Sequence, residues 1–183
     1  LRAGPAYGGS CFPKDTKAIT KTSDDFKVNL SLVQSVIRSN SNRNNLIVQK
    51  ILKIAKQNHL KKIGFLGVTF KANTDDMRDS PSLFIIPKLL KNNLKISYYE
   101  PTGNKSILSK YKKIKYCINQ KELITNCDFI IIHSDWDEFK NIDFNKFSKN
   151  KKLSICDLRN LYHPDEFKNK KIKYYSIGRP FHE

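Results

Sequence analysis

The sequence predicts an α/β fold in which one long helix precedes a layered domain built on a mostly parallel sheet. Two observations support this prediction. From residue 62 onward, short apolar segments alternate with segments of helical character, as in a sheet whose parallel strands are connected by helices. Before residue 62, apolar residues recur at alternating spacings of three and four, which places them on one face of a helix.

The chain begins with a segment rich in Gly and Pro, residues 1–12, which predicts a loop, and residues 13–22 predict a short helix. Pro13 suits the first turn of that helix, because its backbone angle is already helical and its missing N–H is not needed there. Cys11 would therefore lie at the helix N-terminus, where unpaired backbone N–H groups and the helix dipole favour its thiolate form.

Charged residues follow Cys11 closely. Lys14 adds positive charge, and Asp15 lies one helical turn after the cysteine, on roughly the same face. This combination is typical of an activated nucleophile beside a potential base. A cysteine that only packs as a small hydrophobe in a Gly-rich turn is an equally open interpretation of these residues alone.

The long helix is predicted to run from about residue 26 to residue 57. The polar run 39–45 could instead form a loop, because Asn and Ser favour turns, but the apolar phase is the same on both sides of it, which favours an unbroken helix. A helix of this length would bridge domains or subunits rather than cover one small core. The face is formed by Leu30, Val33, Ile37, Asn40, Asn44, Ile47, Ile51 and Ile54.

The second part of the chain alternates strands and helices. The run 129–133 is fully apolar, as expected of a strand in the middle of a parallel sheet. One helix is predicted to begin with Ser80 as its N-cap and Pro81 in its first turn. Strands are predicted at 63–68, 94–99, 114–118, 129–133, 153–157 and 173–177, and helical segments at 80–92, 104–111, 119–126, 136–140 and 143–149.

Ligands of such a sheet bind at loops beyond the strand ends, which selects the loops 69–79, 133–138 and 157–163. The first strand offers only Gly64 and Gly67 rather than the G-x-G-x-x-G fingerprint. This α/β domain is therefore poorly suited to hold a dinucleotide by the usual glycine turn.

Composition restricts the class of protein. The chain has 183 residues, a formal net charge of +17 and four cysteines without C-x-x-C spacing, which argues against a zinc site and favours a reducing, cytoplasmic location. No apolar run is long enough for a membrane span.

The lysines are spread along the chain, so a solvated surface that tolerates anionic ligands is expected rather than a nucleic-acid interface. Because the chain lacks an initiator Met, it is expected to be part of something longer.

Several residues of the three loops could bind anions. Lys71 and Arg78 could pair with anionic oxygens, although an exposed salt-bridged turn explains them equally well. Arg159 could clamp a phosphate or stack on a base, but alone it is weak support for function. Asp135 is expected to cap a helix, and His133, at the end of an apolar strand, is expected to be structural.

Four motifs resemble those of the UDP-glucose/GDP-mannose dehydrogenase family. They are GGSCFPKD, FKANTDDMRDSPS, SDWDEF and CDLRNLY, in the family's order and separation, and the resemblance covers nearly the whole chain. It implies a C-terminal half of an NAD-dependent enzyme that oxidises a nucleotide-sugar alcohol to the acid in two steps. Residues 1–60 would form the catalytic-cysteine loop and the central dimerisation helix, and residues 61–183 a Rossmann-like domain that binds the UDP-sugar. The N-terminal NAD-binding domain is absent, so this fragment alone is expected to be inactive.

The resemblance also implies roles for individual residues. Cys11 would be the nucleophile that forms a thiohemiacetal and then a thioester, and Asp15 would assist the water that releases the acid. Lys14 and Arg78 would contact NAD. The nucleotide sugar would be bound by Arg2, Tyr7, Gly8, Phe70, Lys71 and Arg159.

Other functions stay open at this stage. The chain could belong to a dehydrogenase of UDP-N-acetyl sugars or GDP-mannose, because sugar specificity depends partly on residues outside it. It could also be a UDP-sugar-binding module without catalysis. A nucleic-acid binder is disfavoured, because no such module is recognisable.

Overall fold

The computed structural model describes residues 3–148, 151–168 and 171–179. Two helices precede a six-stranded sheet. The helices are α1 (Phe12–Asp25), α2 (Ser31–Gln57), α3 (Ser82–Lys91), α4 (Ser106–Ser109), α5 (Gln120–Asn126) and α6 (Phe144–Ser148). The strands are β1 (Lys62–Leu66), β2 (Lys95–Tyr99), β3 (Ile114–Tyr116), β4 (Phe129–Ile132), β5 (Leu153–Asp157) and β6 (Ile172–Tyr175), and 3₁₀ turns occupy Asp137–Phe139 and Pro164–Phe167.

Every pairing in the sheet is parallel, and the strand order is β3-β2-β1-β4-β5-β6. The predicted α/β architecture, with a Rossmann-like parallel sheet and flanking helices, is confirmed. The direction in which strands are added reverses between β1 and β4. In doubly wound sheets a crevice opens at such a point, beyond the carboxyl ends of the strands.

Buried side chains pack on both faces of the sheet. One core joins α3 and the second half of α2 to the face that carries Ile63, Phe65 and Ile131. The other core joins α5 to the opposite face, where Ile130 and Ile132 point. Alternation of side chains along each strand supplies both cores, which explains why β4 is apolar throughout.

The two N-terminal helices are separated by a turn. The long helix was expected to start at about residue 26, but α1 extends to Asp25 and Lys27 adopts a positive φ of 56°, which ends the first helix before α2 begins at Ser31. The polar run 39–45 is helical, as predicted. Only the second half of α2 is buried, at Ile47, Val48, Ile51, Ile54 and Ala55.

Two predicted helix caps are wrong. Helix α3 begins at Ser82 with Pro81 as its N-cap, and the hydroxyl of Ser80 instead donates to the carbonyl of Val68. The 3₁₀ turn after β4 has Trp136, and not Asp135, as its N-cap residue. No helix among the described residues combines the length and apolar character that a membrane span requires.

Candidate active site

Three loops meet at the edge of the sheet where the strands end, which we call the carboxyl edge. They are residues 67–81 after β1, residues 133–136 after β4 and residues 158–163 after β5. Residues 3–11, the N-terminal segment, lie against these loops. These are the loops that the sequence selected, and their meeting follows from the order of β1, β4 and β5 in the sheet.

Helix α2 holds the N-terminal segment in place. The side-chain amide of Asn40 accepts a hydrogen bond from the backbone N–H of Tyr7 (2.9 Å) and donates to its carbonyl (3.2 Å). Arg43 donates from Nε and Nη2 to the carbonyl of Gly4, at 3.0 and 2.7 Å. Sequence reasoning missed both residues, although the polar interruption of the apolar helix face was the signal that could have found them.

Two glycines let the N-terminal segment approach the loop after β1. A Cβ on Gly8 would lie 2.2 Å from the carbonyl oxygen of Asp79, and one on Gly9 would lie 2.7 Å from the ring of Phe70. Gly9 also adopts a positive φ of 88°, and its N–H donates to the carbonyl of Arg78 at 2.9 Å. Larger residues would push the two segments apart.

Cys11 follows this contact directly and is exposed to solvent. It is the N-cap residue of α1, with Pro13 in the first turn as predicted and with its carbonyl accepting from the N–H of Asp15 at 2.8 Å. The Sγ lies 3.6 Å from the hydroxyl of Ser10. An exposed thiol beside the unpaired N–H groups of a helix start is suited to attack an electrophile.

Charged side chains surround the start of α1. Lys14 Nζ lies 3.4 Å from Asp15 Oδ1, and both side chains are exposed. Arg78 forms a two-pronged ion pair with Asp76, at 2.8 to 3.1 Å. This pair lowers the pKa of Asp76 and raises that of Arg78, and a charge on the thiolate of Cys11 adds to the rise at Arg78.

Arg159 connects all the segments of the site. Its Nε donates to the carbonyl of His133 at 2.8 Å and its Nη2 to that of Phe70 at 2.9 Å. Its Nη1 lies 4.0 Å from Asp135 Oδ1, and a Cβ on Gly4 would be 3.2 Å away from this nitrogen. Two of its three nitrogens are thus engaged with backbone carbonyls, so a bidentate phosphate clamp would require Arg159 to move.

Asp157 fixes the backbone around Arg159 by accepting hydrogen bonds. One carboxylate oxygen accepts from the N–H of Arg159 at 2.9 Å, and the other accepts from the hydroxyl of Tyr174 at 2.7 Å and the N–H of Tyr162 at 3.2 Å. Burial raises the pKa of Asp157, while these hydrogen bonds act in the opposite direction. Sequence reasoning did not identify this positioning role.

Glu100 fixes the loop after β1 in the same way. It follows β2, is fully buried, and accepts with Oε2 from the N–H groups of Val68 and Thr69 at 2.7 and 3.1 Å and from the hydroxyl of Thr69 at 3.3 Å. Its Oε1 accepts from Thr102 at 3.2 Å. The loop that carries Phe70 and Arg78 therefore begins from a rigid anchor.

The predicted site residues are gathered only in part. Gly8 packs on Phe70, whose carbonyl accepts from Arg159, and the carbonyl of Arg78 accepts from the N–H of Gly9, two residues before Cys11. Tyr7 packs edge to face on Phe12 at 4.7 Å, and Lys71 is exposed with its ammonium 5.4 Å from the ring of Phe70. Arg2, also predicted to bind the nucleotide sugar, lies outside the described residues.

Comparison with protein families gives two matches. Residues 64–164 match the UDP binding domain of the UDP-glucose/GDP-mannose dehydrogenase family, and residues 1–42 match the central domain of that family. The first match ends within α2, which connects the cysteine segment to the sheet, and the second begins within β1.

Curated relatives match over nearly the whole chain. UDP-glucose 6-dehydrogenase of Rhizobium meliloti is 37% identical over 182 residues, which are 98% of this chain and 42% of the relative. UDP-glucose 6-dehydrogenase of Rickettsia bellii is 36% identical over 182 residues, covering 97% of this chain and 42% of the relative. The chain thus spans about two fifths of the length of these relatives.

Solved structures share the fold. A UDP-glucose dehydrogenase from Pyrobaculum islandicum matches with a TM-score of 0.76 at 23% identity, over 94% of this chain and 38% of the other. An NDP-N-acetyl-D-galactosaminuronic acid dehydrogenase from Methanosarcina mazei matches with a TM-score of 0.83 at 22% identity, over 98% and 40%. At these identities the likeness concerns the fold.

Proposed function

Since this chain belongs to the UDP-glucose/GDP-mannose dehydrogenase family, we propose that it supplies the catalytic cysteine and the UDP-sugar-binding domain of a UDP-glucose 6-dehydrogenase. That enzyme would oxidise UDP-glucose to UDP-glucuronate in two NAD-dependent steps. The observation that carries the proposal is the exposed thiol of Cys11, held at a helix start beside the loop of Phe70 and Arg78. The names of the curated relatives support the choice of substrate.

In this proposal Cys11 adds to the aldehyde carbon of the half-oxidised sugar, forming a C–S bond that keeps the reactive intermediate on the protein. Loss of the hydride from the resulting thiohemiacetal leaves a thioester on sulfur. Asp15 would orient the water that attacks this thioester, which releases the carboxylic acid and returns the thiol. When bound, NAD would accept the hydrides that the two oxidations remove.

The sheet of this chain does not fit NAD at its first strand. A Cβ on Gly64 would lie 2.9 Å from Leu123, and one on Gly67 would lie 1.7 Å from the hydroxyl of Ser134, so these glycines serve internal packing and leave no space for a pyrophosphate. The exposed cations Lys14 and Arg78 do fit an anionic cofactor that arrives from outside the sheet. We therefore assign NAD contacts to these two residues and the main NAD site to a domain outside this chain.

The UDP-sugar would bind at the carboxyl edge. Phe70 and Lys71 offer a ring and an ammonium group on one loop, and Arg159 reaches the same loop from β5. Tyr7 and Gly8 would cover the ligand from the N-terminal segment, and Arg2 is proposed as a further ligand-binding residue. Calorimetry with UDP-glucose, UDP-N-acetylglucosamine and GDP-mannose discriminates among family substrates, and tighter binding of either alternative by the full-length protein would overturn the choice of UDP-glucose.

The decisive variant is Cys11→Ala in the full-length protein. Because the side chain is exposed, we expect an unchanged thermal midpoint and unchanged UDP-glucose affinity, but loss of UDP-glucuronate formation by at least about 10³-fold. NADH absorbance and chromatography of the product measure this loss. Cys117→Ala is the matched control, since that thiol is buried and its removal should lower stability without abolishing turnover. If the Cys11→Ala variant still produced acid, Cys11 would not be the nucleophile, and this chain would keep only its proposed role in binding the UDP-sugar. The present chain by itself should produce no NADH.

We also propose that the enzyme is cytoplasmic and that it forms a homodimer through α1 and α2. The first half of α2 covers no core of its own, and large apolar side chains are exposed there and in the preceding turn, with Phe26 at 76% and Leu32 at 79%. Large apolar side chains that stay exposed close together in the chain are typical of an association surface.

A further inference from the structure

A second concave surface lies at the amino edge of the sheet, where the strands begin. It is a groove of about 620 Å³, a size typical of small-ligand sites, lined by four lysines, two amide side chains and an apolar floor. The polar residues are Lys62, Lys95, Lys113, Lys115, Asn93, Asn126 and Ser97. The five residues of β1 separate this edge from the candidate active site by about 16 Å.

Three of the lysines lie side by side. Lys62 pairs with Lys95 in the register of β1 and β2, and Lys113 precedes Ile114, which pairs with Ile96. Neighbouring strands are only about 4.8 Å apart, so three positive charges line up across β1, β2 and β3. Like charges placed directly opposite one another destabilise a sheet.

Carboxylates within the chain do not neutralise this row. Lys115 forms an ion pair with Glu122 at 2.6 Å, and Asp128 accepts a hydrogen bond from the backbone N–H of Lys62 at 3.3 Å. Among the described residues, no carboxylate lies within ion-pair distance of the ammonium groups of Lys62, Lys95 or Lys113. All three side chains are exposed.

We propose that this groove binds a ligand with linked phosphate groups, either a free oligophosphate chain or the tail of a nucleoside triphosphate. Adjacent phosphates carry negative charges at close spacing, which complements a row of ammonium groups. The amides of Asn93 and Asn126 add hydrogen-bonding groups to the lining of the groove. Binding here relieves the repulsion within the row, so the ligand stabilises the sheet, and it does not compete with a ligand at the carboxyl edge. The proposal is independent of the function assigned above.

The test is calorimetry of the full-length protein with inorganic tripolyphosphate and with ATP, at a salt concentration of about 0.15 M. The variant Lys62→Gln/Lys95→Gln/Lys113→Gln is expected to lose affinity by at least about tenfold. Its thermal midpoint without ligand is expected not to fall, because the substitution removes like charges, and the rise in midpoint that tripolyphosphate causes in the parent protein is expected to disappear.

The matched control is Lys152→Gln/Lys171→Gln/Lys173→Gln. These lysines line a different groove at the amino edge, beside β5 and β6, so the control removes the same charge from another place and should leave affinity unchanged. Binding of both probes supports recognition of the phosphate chain alone, and binding of ATP only supports recognition of the nucleoside as well. An equal loss in the control, or no binding of either probe, overturns the proposal.

Discussion

At the scale of single residues, burial separates one cysteine from the other three. Cys11 is exposed, whereas Cys117, Cys127 and Cys156 are buried in the cores. Burial raises the pKa of Cys117 to about 11 and that of Cys127 and Cys156 to about 12. These three thiols therefore stay protonated and inert at neutral pH.

Alkylation with iodoacetamide measures this difference directly. We expect one modified thiol per native chain and four after unfolding, with peptide mass spectrometry assigning the first to Cys11. Bound UDP-glucose should slow that reaction, because the sugar would cover the sulfur. Rapid native labelling at Cys127, or equal rates at all four positions, would contradict the burial described above.

His133 makes the stability of the chain depend on pH. Its side chain is fully buried without a hydrogen-bond partner among the described residues, and burial, with a smaller contribution from Arg159, lowers its pKa from 6.5 to about 3. As pH falls below 6.5 the unfolded chain binds a proton at this position and the folded chain does not. The stability that depends on this neutral side chain is therefore fully present above pH 6.5, and it is lost progressively as pH falls toward 3.

The variant His133→Leu removes this titration. Between pH 6.5 and 4.5 we expect the parent protein to lose free energy of unfolding more steeply than the variant, by up to about 1.4 kcal/mol per pH unit. Urea unfolding followed by circular dichroism at several pH values measures the difference between the two slopes. Parallel slopes would show that His133 is protonated in the folded state.

At the scale of elements, the loop after β1 depends on the end of a neighbouring strand. Glu100, after β2, accepts hydrogen bonds from two backbone N–H groups and one hydroxyl at the start of the loop after β1. The loop is thus fixed where it leaves the sheet, and its later residues reach the N-terminal segment. The position of Phe70 depends on a carboxylate 30 residues away in the chain.

The variant Glu100→Ala leaves these donors buried and unpaired. We expect a loss of about 1–3 kcal/mol in the free energy of unfolding, together with weaker binding of UDP-glucose, because the loop loses its anchor. Glu100→Gln is the control, since its amide oxygen can still accept from Val68 and Thr69, and it should lose less of both. Denaturant titration and calorimetry measure the two quantities. Equal effects of both variants would argue that the charge, and not the acceptor, matters.

At the scale of the whole molecule, the strand order brings the residues of the candidate site together at the carboxyl edge of the sheet. The switch between β1 and β4 brings together loops from distant parts of the chain, and the C-terminal half of α2 packs on the sheet while its N-terminal half extends away. The N-terminal segment bridges the two by bonding to Asn40 and Arg43 of the extended half. The arrangement of the site therefore depends on the folding of the first half of α2.

The proposed dimer makes a prediction at this scale. We expect Leu32→Lys to weaken self-association of the full-length protein by at least about tenfold, because a charge would be buried between α2 helices. Sedimentation over a range of protein concentrations measures this change. Ile118→Lys is the control, since Ile118 is equally exposed at 74% but lies after β3, away from α2. Unchanged association of Leu32→Lys would exclude this surface.

The sequence by itself determined the α/β class, the parallel sheet, the continuity of α2 through its polar run and the position of Cys11 at the N-terminus of α1. Each of these depends on local periodicity or on residues close together in the chain. Tertiary structure alone decided the roles of Asn40, Arg43, Glu100 and Asp157, and it moved Ser80 from a helix cap to a bond with Val68. These polar groups act on backbone atoms that are distant in sequence, and such pairings are selected by strand order and burial, which no local pattern records.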